Sequence, residues 1–122
     1  MFEDKTILCG ASRYEKLFYF NPEFDSLPKE VKQELNILCV LFTEEVGGIL
    51  RLEFDDKGTL HLTVESREED LLFDEIGSVL KIKQIQQEKR ELLESLETYY
   101  RVFFLENGKS AGNGDSWRRD TC

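Results

Sequence analysis

The residue types that most often carry out chemistry are scarce in this chain, which has one histidine and three cysteines among 122 residues. His61 falls in an alternating segment that predicts an outward position on a strand. A Ser-His-Asp hydrolase would need this histidine and a GxSxG nucleophile elbow, and no such elbow occurs. Cys9, Cys39 and Cys122 lack the Cys-Cys or Cys-His spacing of a zinc site. We expect a surface histidine and reduced thiols, as in a cytosolic protein.

Three further segments resemble ion or phosphate sites only in part. "EFDDKG" (53–58) lacks the alternating ligands and closing glutamate of a calcium loop, so it predicts a turn. "EVGGIL" puts its glycines between a helix and a strand, the wrong order for a phosphate cradle. "SREEDLLFDE" (66–75) holds five acids, and Ser66 with Glu69 fits a capping box that explains them without a metal. We predict no catalytic residue, no cofactor and no metal site, hence a protein that is not an enzyme.

The net charge of −9 points away from polyanionic partners. Residues 1–105 carry all of it, because residues 106–122 hold three acids and three bases. Such a surface repels phosphate backbones, so we expect neither nucleic acid nor an anionic membrane as a partner. "MFEDKTILCGAS" does not read as a signal peptide, and no run approaches the roughly 20 apolar residues of a membrane span. We predict a cytoplasmic location.

Hydrophobic periodicity predicts the elements that would position any site. "TILCGAS" (6–12) and "YEKLFYF" (14–20) favour a first hairpin. A helix is predicted from Pro28 to Val46, apolar all round at "ILCVLF" and therefore central to the core, with Gly47-Gly48 as its stop. "ILRLEF" and "TLHLTVE" alternate strictly around "DDKG", which predicts a second hairpin with Gly58 at the positive-φ position.

The last predicted helix runs from about Asp70 to Phe104, roughly 52 Å if it is straight. A rod of that length would overhang a domain whose radius of gyration is near 13 Å. Either it kinks at Gly77-Ser78 or its far end packs on a partner. The predicted fold is α+β, in ββαββα order, with an antiparallel sheet of three to four strands and two helices. We expect one domain over residues 1–105 and a disordered tail over 106–122.

A seam of apolar residues at seven-residue spacing follows this helix. Its members are Ile82, Ile85, Leu92, Leu96, Tyr99 and Phe103. Two interpretations remain open: the seam covers the protein's own sheet, or its C-terminal half pairs with the same helix of a second subunit. The intervening "KIKQIQQEKR" (81–90) has four bases and one acid, which suits either a solvated face or an acidic segment of another subunit or protein.

Aromatic residues near both ends of the sequence favour a different function. Tyr14, Phe18, Tyr19, Phe20, Tyr99 and Tyr100 either meet in the core or an interface, or line a small-molecule pocket. A small regulatory module that binds a ligand between sheet and helices is therefore the alternative to an interaction protein.

The segments "LPKEVKQEL", "CVLFTEEVGGILRLEF" and "LLFDEIGSVLKIKQIQQEKRELLESLETYYRVF" resemble a family of small uncharacterised proteins of clostridial, Gram-positive anaerobes. The resemblance covers about Cys9 to Phe104 and implies a bacterial cytoplasmic protein, with no catalytic residues to transfer. The order of elements is also similar to roadblock/longin-type and profilin-like domains, an analogy of fold alone. We predict a non-enzymatic, homodimeric interaction or scaffold protein that associates through its C-terminal helix.

Overall fold

The computed structural model describes residues 5–106 and shows an α+β fold. The strands are β1 (Thr6–Ser12), β2 (Leu17–Phe20), β3 (Ile49–Phe54) and β4 (Leu60–Glu65). The helices are α1 (Lys29–Val46), α2 (Glu75–Glu88) and α3 (Arg90–Tyr100), with a 3₁₀ turn at Pro22–Phe24 and a π-helical turn at Arg101–Glu106. The predicted ββαββ order holds as far as β4, but two helices then follow where one was expected.

The four strands form one antiparallel sheet in the order β2-β1-β3-β4, so the predicted antiparallel sheet is confirmed. Alternation in β3 works as expected, because Leu50, Leu52 and Phe54 are buried while their neighbours are not. In β1 the register shifts between Ile7 and Cys9, and this bulge allows Leu8 and Cys9 both to be buried.

Helix α1 covers the buried face of the sheet, and Leu35, Cys39 and Phe42 on it are fully buried. The helix is central to the core as predicted, but the apolar run "ILCVLF" is buried on one side only. Ile37 and Leu41 are 57% and 50% exposed, because only one face of α1 meets the sheet. Gly47 and Gly48 both have positive φ and end the helix as predicted.

The prediction of one long C-terminal helix was also wrong. The helix begins at Glu75, where the Asp74 side chain accepts a hydrogen bond from the Gly77 N–H at 2.8 Å, and not at the predicted Ser66–Glu69 box. It is interrupted at Lys89 (φ −108°, ψ 25°) rather than at Gly77. The interruption lets α2 lie along α1 while α3 turns onto β4, so neither has to overhang the sheet.

Side chains from both ends of the described chain meet beside α3. Phe54 and Tyr100 stack with ring centroids 4.2 Å apart, and Phe24 stacks on Phe104 at 4.8 Å. The Tyr100 hydroxyl lies 3.0 Å from Thr6 Oγ1 on β1. These contacts close the hydrophobic core at the end opposite to Gly47.

The predicted tail beyond residue 106 lies outside the described residues, so its disorder and the domain boundary at residue 105 stay predictions. Within residues 5–106, no helix combines the length and the apolar character that a bilayer crossing requires.

We predict that Gly10→Ala destabilises the fold by about 1–3 kcal/mol. A Cβ at this position would lie 2.7 Å from the Leu50 carbonyl oxygen, so β1 and β3 would have to separate. Urea unfolding measures the loss. Thr63→Ala, on the neighbouring strand β4, serves as the control and should cost well under half as much. Equal losses in the two variants would contradict the close approach of the strands at Gly10.

Candidate functional site

Most of the predicted seam faces the protein's own core. Ile85 and Leu96 are buried, and Ile82, Leu92 and Tyr99 pack partly buried against the core. Phe103 differs from the other five, because its side chain is 57% exposed. The use of the seam as an interface between subunits stays a prediction. Phe103 is the seam position that a partner could reach most easily.

The basic middle of the predicted helix is partly used within the chain. Lys81 Nζ lies 3.0 Å from Glu45 Oε1, and Lys89 Nζ lies 2.9 Å from Glu34 Oε2. Both glutamates belong to α1, so the two ion pairs connect α2 to α1. Each pair is half-exposed and contributes little energy, so α2 is held chiefly by Ile85, which is buried in the core.

Five strongly exposed aliphatic side chains lie outside the seam. They belong to the loop before α2 and the outward side of the first turns of α2, and we call this region the α2 surface. Its members are Leu71 (92% exposed), Leu72 (93%), Ile76 (76%), Val79 (50%) and Leu80 (62%). Ile76, Val79 and Leu80 stand three or four residues apart, which puts them on one side of the helix, whereas Leu71 and Leu72 lie in the loop before it.

The loop before α2 is held in place although its leucines face outward. The Tyr14 hydroxyl donates to Asp70 Oδ2 at 2.6 Å and accepts the Arg67 N–H at 3.0 Å. The Arg67 guanidinium lies over the Tyr14 ring, 4.4 Å from its centroid. Desolvation and the hydrogen bond to Asp70 raise the pKa of Tyr14. The Asp74 N–H reaches the Val46 carbonyl at 3.1 Å, which attaches the loop to the end of α1.

Charges are arranged unevenly along the α2 surface. Glu68, Glu69 and Asp74 lie at its N-terminal end, and Glu75 begins the helix. Lys83 follows Ile76 by seven residues and therefore lies at the opposite end of the same side. The surface is thus apolar in the middle, acidic at one end and basic at the other. Sequence reasoning missed it, because "LLFDEI" was assigned to a helix start; the three- and four-residue spacing of Ile76, Val79 and Leu80 was the available signal.

His61 lies on β4, as predicted, and its side chain contacts the β3–β4 turn. Its Nε2 lies 2.8 Å from Asp55 Oδ2, and Asp55 Oδ1 accepts the N–H groups of Lys57 and Thr59, both at 2.9 Å. The predicted turn at "EFDDKG" is present, and Gly58 takes φ +87° as expected. Within residues 5–106, no three His, Cys, Asp or Glu side chains are grouped so that they could hold a metal ion. Both carboxylate oxygens of Asp55 are therefore occupied by contacts that stabilise this turn.

The six aromatic residues of the pocket hypothesis lie in four different places. Tyr14 holds the loop before α2, Phe18 and Phe20 line the space between β2 and α1, Tyr19 is exposed on β2, and Tyr99 and Tyr100 join the core beside Phe24. The structure does not bring them into a single cavity.

Two of the cysteines meet in the core. Cys9 and Cys39 are fully buried free thiols whose Sγ atoms are 3.9 Å apart. The hydrogen bond between them and their burial raise the pKa of Cys9 well above its usual value. A thiol held neutral in an apolar site is a poor nucleophile, so this pair acts as packing.

Comparison with known proteins finds a family model that matches residues 5–108, described as "Family of unknown function (DUF6145)". No curated protein and no solved structure matches the chain. The analogy to roadblock/longin-type and profilin-like domains therefore has no support beyond the order of elements.

The turn at Asp55 predicts a specific acid sensitivity. The His61 hydrogen bond, together with the Thr59 and Lys57 N–H groups, lowers the pKa of Asp55 from 3.8 to about 2. Between these values the unfolded chain binds the proton more tightly, so the folded state loses stability as pH falls from about 4 to 2.

We expect Asp55→Asn to remove this component. Its free energy of unfolding, measured in urea from pH 7 to pH 2, should fall less steeply below pH 4 than that of the wild type. Asp56→Asn is the control, because Asp56 is an exposed neighbour and its variant should follow the wild-type profile. Parallel profiles for wild type and Asp55→Asn would contradict the assignment.

Proposed function

The chain belongs to the family of unknown function DUF6145, and we propose that it is a non-enzymatic interaction protein that forms a homodimer through the α2 surface. The observation that carries this proposal is the exposure of five large aliphatic side chains, by 50–93%, on a loop and helix that are otherwise fixed. Exposed apolar groups gathered along one short segment are typical of protein interaction sites.

Burial of this surface is energetically favourable. Covering one large aliphatic side chain completely contributes roughly 1.5–3 kcal/mol. Five of them, even if only partly covered, supply enough to offset part of the entropy that association costs. The surface consists of the loop and little more than one turn of α2, so the area is small. We therefore expect weak, concentration-dependent association, with a dissociation constant on the order of 10 µM.

The charge pattern favours a second copy as the occupant. If two α2 helices pair antiparallel about a two-fold axis near Val79, the apolar middle of one copy covers that of the other. Lys83 of one copy, four residues beyond Val79, then faces Glu75 of the second copy, four residues before it. Both ends of the interface are complementary in this orientation, whereas a parallel pairing would oppose like charges.

This proposal moves the interface away from the seam predicted on the same C-terminal region. Five of the six seam residues are covered by their own chain, and the α2 surface is exposed instead. Phe103 is the exception, which makes the two interfaces distinguishable by mutation.

We propose a bacterial cytoplasmic location for the same protein. The resemblance of the sequence to clostridial proteins supports it, and so do Cys9 and Cys39, which are free thiols 3.9 Å apart. A reducing compartment keeps thiols in this state.

We predict that Ile76→Glu abolishes dimer formation at concentrations of tens of micromolar. A carboxylate in the centre of an apolar interface would lose its hydration without gaining a partner. Light scattering on a sizing column measures the mass. Leu17→Glu, at a position 55% exposed on β2, is the matched control and should leave the dimer intact.

Phe103→Glu separates the two candidate interfaces. Loss of the dimer in Phe103→Glu but not in Ile76→Glu would assign the contact to the seam and overturn the α2 surface. A wild-type chain that stays monomeric throughout would overturn both.

We predict that Lys83→Glu weakens the dimer by about tenfold and that the double variant Lys83→Glu/Glu75→Lys recovers most of the loss. The single variant opposes two acids at each end of the antiparallel pair, and the double variant restores opposite charges. Sedimentation equilibrium at low ionic strength measures both constants. Failure of the second substitution to rescue the first would argue against the antiparallel arrangement.

A further inference from the structure

Strand β2 is an edge of the sheet and pairs with β1 alone among the described strands. An edge strand presents backbone N–H and C=O groups that a further strand can pair with. Leu17 and Tyr19 are about half exposed, and Phe18 and Phe20 turn toward α1. The unpaired edge of β2 is therefore accessible and has an apolar side next to a helix.

A groove runs between β2 and α1, and we call it the β2–α1 groove. Two open depressions meet at Phe18 and make it up. One has a volume of about 590 Å³ and includes Phe20, Lys29 and Ile37 in its lining. The other, of about 470 Å³, includes Lys16 and Val40. The groove thus follows α1 from near its first residue to Glu44, a length of roughly 22 Å at 1.5 Å per residue.

The charge of the groove is opposite to that of the chain. Its lining has four basic side chains, Arg13, Lys16, Lys29 and Lys32, and one acidic side chain, Glu44. The whole chain carries −9. Lys32 is paired with Asp25 at 2.9 Å, but within residues 5–106 neither Lys16 nor Lys29 has an ion-pair partner. The two lysines stand at opposite ends of the groove, one in each depression.

We propose that the β2–α1 groove binds an extended, acidic segment of another protein, which adds to the sheet as a strand beside β2. Such a segment would pair its backbone with β2 and direct every second side chain toward α1. An apolar side chain at its centre would contact Phe18 and Ile37. Acidic side chains on either side of the centre would reach Lys16 and Lys29.

The groove selects against the alternative occupants. A second copy that offered its own β2 edge would bring the same basic side chains, and like charges would oppose each other along the groove. Nucleic acid would meet the basic groove but also the acidic remainder of the chain, and it has no backbone that can extend a sheet. An extended acidic peptide can pair with the backbone of β2, place an apolar side chain against Phe18 and Ile37, and complement the basic side chains of the groove.

The first experiment identifies a probe. Eight-residue random peptides displayed on phage are selected on the full-length protein, and the most enriched sequence is synthesised with a fluorescent label. We expect enriched peptides in which Asp or Glu alternates with large apolar residues. Failure to enrich any peptide, or enrichment of Lys- and Arg-rich peptides, would overturn the proposal.

The second experiment measures the affinity of that peptide by fluorescence anisotropy. Lys16→Glu/Lys29→Glu should weaken binding by about tenfold or more, whereas Lys57→Glu/Arg90→Glu, with the same net charge, should change it by less than about twofold. Ile37→Ser should weaken binding severalfold, and Leu41→Ser, one turn further along α1 and similarly exposed, should not. Equal effects within either pair would place the peptide elsewhere.

Strand addition has its own test. In an extended peptide beside β2, alternate N–H groups point toward the sheet. N-methylation at odd positions and at even positions should therefore have very different effects, one abolishing binding and the other tolerated. Similar effects would exclude strand pairing.

The β2–α1 groove shares no residue with the α2 surface, so each of the two proposals can fail while the other holds. Loss of self-association in Lys16→Glu/Lys29→Glu would instead assign the groove to a second copy.

Discussion

The sheet has one apolar face that must be buried, and the helices pack on that side of it. Helix α1 lies across β1 and β3, and α3 packs beside β4. Little of the sheet is left for α2, which packs chiefly on α1 and forms the pairs Lys81–Glu45 and Lys89–Glu34 with it. A helix in this outer position covers other elements with one side only. Both proposed interaction surfaces follow from this arrangement, because α2 and α1 each keep a side that no described element covers.

Local patterns in the sequence were sufficient for the elements whose partners are close along the chain. The β3–β4 hairpin was predictable from strict alternation and from Gly58, and α1 from its periodicity and from Gly47-Gly48. In these elements the residues that fix the structure are neighbours. Leu50, Leu52 and Phe54 need only one apolar layer above them to be buried as predicted.

The C-terminal region was not predictable in the same way. No proline or glycine marks Lys89, and its side chain pairs with Glu34 on α1, 55 residues earlier in the sequence. Ser66 and Glu69 have the spacing of a capping box, yet Asp74 caps the helix because Tyr14 holds the preceding loop through Asp70 and Arg67. The seam is a pattern of spacing, and periodicity cannot say whether the apolar side of a helix faces its own core or solvent. The exposed Leu71 and Leu72 were overlooked because the acidic residues around them were interpreted as a helix start.

The contacts between Thr6 and Tyr100 and between Ser26 and Tyr99 join the two ends of the described chain, 94 and 73 residues apart. Strand β1 is also an inner strand, so its two neighbours come from different hairpins. A nascent chain on the ribosome can therefore form the β3–β4 hairpin and α1 early. It cannot close the core until α3 has left the exit tunnel, because α3 supplies Tyr100 to the stack with Phe54.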